Sequence, residues 1–311
     1  MIHRKFLIGF LLMIFFVAVP NSVELQAADQ KVFKKRIAVF SFDDKTDHRW
    51  HWWTGQPVGE GMADMLVTSL VKTGKYVVIE RQEMEQLLKE QALGMSGVVT
   101  PESAAQVGKV LGVELAVFGA VTEFGYSESD VGGALKSRGL GLGVKTTKAT
   151  IAVDVRLVNT STAEIVQAEN VRKEEAKKGI SIDTQKFDFD NRDKFDESIV
   201  GKATRQAIDA IVGMIDNAAP KIPWQAKVIK GDGPIFINAG SQAGINVDDE
   251  FVVYRPGEAL IDPDTGLNLG STETLIGKIR VVNNNIGNGK ASQCMAVSGS
   301  GFERNDIVRI Q

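Results

Sequence analysis

The histidines His48 and His51 come nearest to a metal site by residue type and spacing. Their neighbours are three aspartates and three tryptophans, namely Asp43, Asp44, Asp47, Trp50, Trp52 and Trp53. The HxxH spacing has no clear helix that would turn both rings to one side, and the sequence fixes no third ligand. Tryptophan is enriched at protein interfaces. We therefore expect an exposed contact loop at Trp50, Trp52 and Trp53, with a metal-binding hydrolase as the alternative.

A second acidic pattern lies near the C-terminus. Asp262, Asp264 and Glu273 fall at the first, third and twelfth places of a calcium-loop count. Gly266 stands one place too early for such a loop, and Pro263 stiffens the turn. This pattern favours a hairpin turn over a calcium site.

Phosphate and thiol chemistry are also poorly supported. The glycine-rich segment 139–143 lacks the strand-to-helix setting of a dinucleotide loop, and Gly201-Lys202 lacks the other residues of a P-loop. Cys294 is the only cysteine and lies in an alternating segment, which favours a buried structural thiol over a nucleophile. The sequence predicts no catalytic residue, no cofactor and no metal.

Composition sets the class of protein. The 311 residues are 43% hydrophobic and 24% charged, as in ordinary globular chains, and their number suggests about two domains. A formal net charge of −3 offers no basic surface for a phosphate backbone. We therefore expect no nucleic-acid partner.

The first residues resemble an export signal. A basic head, His3 to Lys5, precedes an apolar run from Phe6 to Val19, and small residues follow at Ala27 and Ala28. The run is short for a membrane span, which needs about 20 apolar residues. The sequence predicts a signal peptide over 1–27, with an uncleaved N-terminal anchor as the alternative.

Residues 28–219 show the pattern of an α/β domain. Predicted strands cover Arg36–Phe42, Tyr76–Ile79, Glu114–Phe124, Thr150–Val158 and Ala163–Glu169. Predicted helices run from Val58 to Gly74, around Met84 to Leu88, from Thr100 to Gly112, and from Ser198 to Pro220. This order predicts a mixed sheet covered by helices.

Residues 220–311 show a different pattern. Pro220 and Pro223 indicate a linker, after which short apolar runs alternate with Gly, Asn and Asp. The spacing of these runs fits a second, small all-β barrel that would fold on its own.

Several motifs in one order resemble a known family. They are Ile37–Asp44, Gly59–Leu66, Val78–Arg81, Phe118–Ala120 after Gly112, and Val158–Thr162 before Glu164 and Ile165. Over about Arg36 to Asp216 they resemble the CsgG family of the curli secretion channel. The resemblance implies an envelope protein without catalysis, whose α/β domain forms a ring and contributes two β-hairpins to an outer-membrane barrel. The stretch Ile235–Tyr254, which contains Asn238–Asp249, is similar to the C-terminal SH3-like domain of the flagellar assembly protein T.

The two hairpins implied by the family fall in the inserts at about 125–148 and 171–194. Their candidate lipid-facing residues are Leu140, Leu142, Val144, Ile180, Ile182, Phe187 and Phe189. The segment Arg172–Lys178 carries charge on both faces of a strand, and a Lys or Arg facing mid-bilayer lipid costs about 2–4 kcal/mol. We expect this segment to stay in water.

The sequence thus indicates a non-enzymatic assembly or secretion protein of the cell envelope. We expect a homo-oligomeric ring, in the periplasm or associated with the outer membrane, with other envelope or secretion-machine proteins as partners. A periplasmic scaffold without a pore, similar to flagellar assembly proteins, is the first alternative. A periplasmic metal-binding hydrolase is the second.

Overall fold

The computed structural model describes residues 32–46, 56–79, 112–131, 144–178, 192–264 and 268–311. Residues Phe33–Gln311 form one compact unit. The predicted signal peptide and the predicted helices around 84–88 and 100–111 lie outside the described residues.

A six-stranded mixed sheet is the centre of the N-terminal part. Its strands are β1 (Lys35–Val39), β2 (Asp43–Asp44), β3 (Tyr76–Ile79), β4 (Leu115–Val131), β5 (Val144–Asn159) and β6 (Ile165–Lys178). The order is β3-β1-β4-β5-β6, and β2 pairs with β4. β1 runs parallel to β3 and β4, whereas β5 runs antiparallel to both β4 and β6. The predicted mixed sheet is confirmed.

Three helices are described in this part: α1 (Val58–Thr73), α2 (Arg192–Glu197) and α3 (Ile199–Ala218). The apolar stripe predicted for α1 is buried, and Gly74 ends the helix with φ 66°, a left-handed conformation that glycine adopts without strain. The stripe predicted for α3 is also buried, at Ala203, Ala207, Ile211 and Ile215. Both helices share one core with the sheet.

β4 and β5 are longer than the sequence predicts. Their pairing continues past Phe124 and Thr150 to Val131 opposite Val144. On β5, Thr147 and Ala149 are buried and Lys148 between them is exposed, although hydrophobicity gives little signal there. The bases of both predicted inserts therefore continue the sheet.

The C-terminal part is a closed all-β barrel. Its strands are β7 (Gln225–Lys230), β8 (Ile235–Ile237), β9 (Glu250–Ile261), β10 (Asn268–Ile286), β11 (Ala291–Gly299) and β12 (Ile307–Arg309). The strand order is β10-β11-β8-β7-β12-β9. Alternate side chains point inward, including Val228, Ile237, Phe251, Ile279 and Val308.

The connection between helix α3 and strand β7 is short. It consists of a 3-10 turn, Ala219–Lys221, followed by Ile222, Pro223 and Trp224. Ala219, Ile222 and Trp224 are buried. The prolines therefore lie in a packed connection between sheet and barrel.

Candidate functional site

Most residues predicted to meet a membrane or a partner lie outside the described residues. This holds for His48, His51, Trp50, Trp52 and Trp53, and for Leu140, Leu142, Ile180, Ile182, Phe187 and Phe189. Val144 is described as the first residue of β5, where it pairs with Val131. These assignments therefore stay predictions.

Asp44, one of the aspartates near the two histidines, is engaged by a neighbouring threonine. Asp44 Oδ1 accepts hydrogen bonds from Thr46 N at 3.0 Å and from Thr46 Oγ1 at 2.6 Å. Among the residues that the structure describes, no cluster of His, Cys, Asp and Glu has the arrangement of a metal site.

The predicted turn at Asp262 and Asp264 is confirmed, because β9 and β10 form an antiparallel hairpin there. Asp264 N donates to Asp262 Oδ1 at 2.9 Å, which closes a local turn. Glu273 lies on β10, and Arg309 Nη1 and Nη2 bind its carboxylate oxygens at 2.6 and 2.7 Å. Arg309 thus occupies the carboxylate that a calcium loop would need.

Cys294 lies in the barrel core and is 3% exposed. Burial raises the pKa of its thiol to about 12, so the thiolate is scarce at neutral pH. The predicted structural role is confirmed by this burial. Gly201 serves packing as well, since a Cβ there would overlap the Phe195 carbonyl oxygen.

The outer half of the β4–β5–β6 sheet has two contrasting faces. One face carries Ile151, Val153 and Ala149, all buried in the core that α3 completes. The opposite face carries an ionic network that joins all three strands: Arg172 binds Glu123 and Glu174, and Lys148 Nζ lies 2.7 Å from Glu174 Oε2. This network occupies the bases of the two predicted hairpins.

The network also shifts the pKa values of two of its members, Glu174 and Arg172. The hydrogen bond from Lys148 lowers the pKa of Glu174, and the hydrogen bond to Glu123 raises the pKa of Arg172. Both groups therefore keep their charge at neutral pH. This face is suited to water or to another charged surface.

Glu114 is a buried acidic residue with a raised pKa. It is 2% exposed and lies where the sheet meets the barrel. Arg36 N of β1 donates to its Oε2 at 2.9 Å, and Gln225 N of β7 donates to its Oε1 at 3.1 Å. Burial raises the pKa of Glu114 to about 7, against the opposing effect of these bonds and of the Lys35 and Arg36 charges. One carboxyl group thus connects both parts of the molecule.

Further contacts join the same two parts. Arg36 Nη1 donates to the Asn238 carbonyl oxygen at 2.9 Å, and Lys34 N donates to the Ala243 carbonyl oxygen at 2.9 Å. A cavity of about 180 Å³ lies beside them, lined by the edge of β3 and by barrel residues such as Gln242 and Lys290. The junction is therefore hydrogen-bonded on both sides of this cavity.

Phe33 precedes the sheet in sequence but belongs to the barrel core. Its ring centroid lies 5.0 Å from that of Trp224 and 5.5 Å from that of Phe251. Sequence reasoning missed Phe33 and Glu114. A charged residue between Val113 and Leu115, in an otherwise apolar run, is the signal that could have identified Glu114.

The described structure is an α/β sheet joined to an all-β barrel. Of its described helices, none is both long and apolar enough to span a membrane. The family model described as "Curli production assembly/transport component CsgG" matches residues 19–226, more than half of the chain. The chain belongs to this family.

Curated relatives agree with that assignment at low identity. Proteins from Salmonella typhimurium and Escherichia coli, both described as "Curli production assembly/transport component CsgG", are 30% identical over 122 residues. The alignment covers 37% of this chain and 43% of each relative. The chain thus matches less than half the length of these relatives.

Solved structures show a more distant likeness. The hypothetical protein CT253 from Chlamydia trachomatis is 15% identical with a TM-score of 0.42, covering 60% of this chain and 97% of that one. Lipoprotein GNA1162 from Neisseria meningitidis is 16% identical with a TM-score of 0.33, covering 59% and 99%.

Proposed function

We propose that this chain is a non-enzymatic assembly or secretion protein of the cell envelope that self-associates into a ring. The observation that carries the proposal is the family match over 19–226, which includes the whole mixed sheet and its described helices. The curated relatives are described as assembly and transport components.

The shape of the sheet supports self-association. Among the described strands, β3 pairs only with β1 and β6 only with β5, so both ends of the sheet have a side without a described partner. Edge strands present backbone donors and acceptors that readily pair with another chain. Two unlike edges on one subunit suit a head-to-tail contact, and such contacts close into rings.

The charged face of the sheet bears on the location of the subunit. The ionic network at Arg172, Glu123, Glu174 and Lys148 lies on the bases of the hairpins and would be costly in hydrocarbon. Any membrane contact by the ring would therefore begin beyond Val131 and Lys178. We propose that the signal segment 1–27 exports the chain and that the ring lies in the periplasm or at the outer membrane.

A periplasmic scaffold without a pore is the second candidate function. The closed barrel favours it, because a compact all-β module at the end of the chain is suited to an adaptor role. In this proposal the barrel is SH3-like, as in flagellar assembly protein T, and the tryptophans Trp50, Trp52 and Trp53 form a contact loop.

The mass of the protein tests the ring. The chain from residue 28 is purified with and without mild detergent and measured by light scattering, while the same cells are fractionated. We expect a defined oligomer in the envelope fraction. A strictly monomeric mass at tens of micromolar in both conditions contradicts self-association.

Labelling separates the pore from the scaffold. Single cysteines at Lys173, Ile182 and Phe187 are treated in intact cells with lipid-soluble and water-soluble thiol reagents. The unmodified chain is the control, since burial keeps Cys294 unreactive. Lipid-only labelling at Ile182 and Phe187 supports a pore, and water-only labelling at all three positions supports the scaffold. We expect Lys173 to react only from water.

A further inference from the structure

Strands β9 and β10 continue beyond the barrel as a two-stranded ribbon, Arg255–Ile261 paired with Asn268–Leu275, which we call the arm. β12 pairs with β9 only over Val252–Tyr254, and β11 pairs with β10 from Gly277 onward. The described strands therefore place no third strand beside the arm. An isolated two-stranded hairpin is at best marginally stable in water.

The base of the arm is held in a fixed direction. Arg255 Nε and Nη2 bind the carboxylate of Asp306, each at 3.0 Å, and Asp306 is 2% exposed. On the other strand, the paired Arg309 and Glu273 tie β10 to β12. These bidentate pairs give the arm a set orientation relative to the barrel.

The arm exposes large aliphatic side chains. Leu260 is 49% exposed, Ile261 53%, Leu269 62% and Leu275 61%. Several exposed aliphatic side chains on one projecting element are typical of an interaction surface. The arm also carries Glu258, Asp262 and Asp264. The outer part of the arm is therefore apolar and anionic.

The end of β6 has the complementary charge. It carries Lys173, Lys177 and Lys178, and the last two are exposed. Its acidic residues are already engaged, Glu174 by Lys148 and Arg172, and Glu175 by Gln206. Because β6 pairs with β5 alone among the described strands, a strand of another chain has an edge to add to.

We propose that the arm of one copy docks along the lysine-bearing edge of β6 in the next copy. The inference rests on the proposed ring and names the contact that builds it. Each copy gives its arm and receives on its β6, so the contact is head-to-tail and leaves no arm and no β6 edge unpaired once the ring closes.

The first test removes the apolar groups of the arm. Leu260→Ser with Leu269→Ser is compared with the unmodified chain from residue 28 by analytical ultracentrifugation over a range of concentrations. Val247→Ser is the matched control, since Val247 is 50% exposed on the barrel outside the arm. We expect the double variant to need at least about tenfold more protein to associate, and the control to behave as the unmodified chain.

The second test reverses charges on both surfaces. Glu258→Lys with Asp264→Lys, and separately Lys177→Glu with Lys178→Glu, should each weaken association at low salt, and the chain carrying all four changes should regain it. These positions are exposed, so circular dichroism is expected to show unchanged folds. If the separate reversals weaken association and the chain with all four changes does not regain it, β6 is not the strand edge that receives the arm.

The outcomes separate the two proposals. Arm variants that assemble as the unmodified chain does overturn the arm contact and leave the ring intact. An unmodified chain that is monomeric overturns the ring itself.

Discussion

The sheet and the barrel differ in whether their outer strands are paired on both sides. The sheet is open, with β3 and β6 at its two ends, whereas the barrel closes on itself through β12, which pairs with both β7 and β9. An open sheet has edge strands that can pair with a strand of another chain. A closed barrel has no such edge, except where a pair of strands projects beyond it. Within the described residues, the places where a strand of another chain could pair are therefore the two edges of the sheet and the arm.

The sheet part nevertheless contributes residues to the barrel part. The barrel core takes Phe33 from the segment before β1, and the backbone at the start of the barrel is satisfied by Glu114 from the sheet. The barrel therefore takes one core side chain from outside residues 220–311. The independence of residues 220–311 stays a prediction, and the following changes sharpen the comparison.

The largest effect is expected for Phe33→Ala. The ring is 6% exposed and contacts the rings of Trp224 and Phe251, so its loss leaves a cavity in the barrel. We expect the free energy of unfolding to fall by about 3–5 kcal/mol in urea titrations followed by circular dichroism. Val32→Ala is the control, because Val32 is 86% exposed. A loss below about 1 kcal/mol would show that the barrel core is complete without Phe33.

The next effect is a pH dependence that comes from Glu114. Its folded pKa of about 7 lies above the ordinary 4.5, so the folded chain binds this proton more tightly than the unfolded chain. This proton binding adds to the free energy of unfolding, on the order of 3 kcal/mol when it is complete. The contribution is fully present below about pH 4.5 and is lost as the pH rises through 7.

Denaturation of the unmodified chain and of Glu114→Gln between pH 5 and 8 checks this dependence. We expect the stability of the unmodified chain to decline with rising pH, and that of the variant to decline less. Glu197→Gln, at an exposed position, should keep the unmodified profile. If stability falls with pH equally steeply in the unmodified chain and in Glu114→Gln, Glu114 is not the group whose titration causes the pH dependence.

A smaller effect is expected at the start of α3. Gly201→Ala places a Cβ against the Phe195 carbonyl oxygen and should cost about 1–3 kcal/mol. Gly213→Ala on the same helix meets nothing within 4 Å and should stabilise the chain by about 0.5–1 kcal/mol. Thermal unfolding of both variants measures the difference, and a stabilising Gly201→Ala would mean that α2 and α3 are less tightly packed.

The smallest effect is expected on the charged face of the sheet. Arg172→Ala removes the link among Glu123, Glu174 and their strands, but all of these groups are exposed. We expect a smaller loss of stability than for Gly201→Ala, and no measurable loss in molar salt, because salt screens exposed pairs. A loss of equal size at both salt concentrations would indicate a packing role for Arg172.

The sequence predicts the elements whose apolar residues repeat regularly. α1 and α3 have apolar residues three or four apart, so their positions are close to those predicted. In the C-terminal part the short apolar runs predict the all-β class, but β9 and β10 extend well beyond those runs. The outer ends of β4 and β5 escape prediction, because their buried residues include Thr147 and Ala149. The contacts of Glu114 and Phe33 could not be predicted either, because their partners lie far away in the sequence and are brought near only by tertiary packing.

The closure of the barrel has a consequence for the order of events during synthesis and export. β12, Ile307–Arg309, is the last strand, yet it fills the gap between β7 and β9. Until these residues emerge, the barrel remains an open sheet with two unsatisfied sides. Pairings between residues far apart in sequence also form slowly. The arm can therefore take its fixed orientation only after β12 has been synthesised, so assembly through the arm follows completion of the barrel.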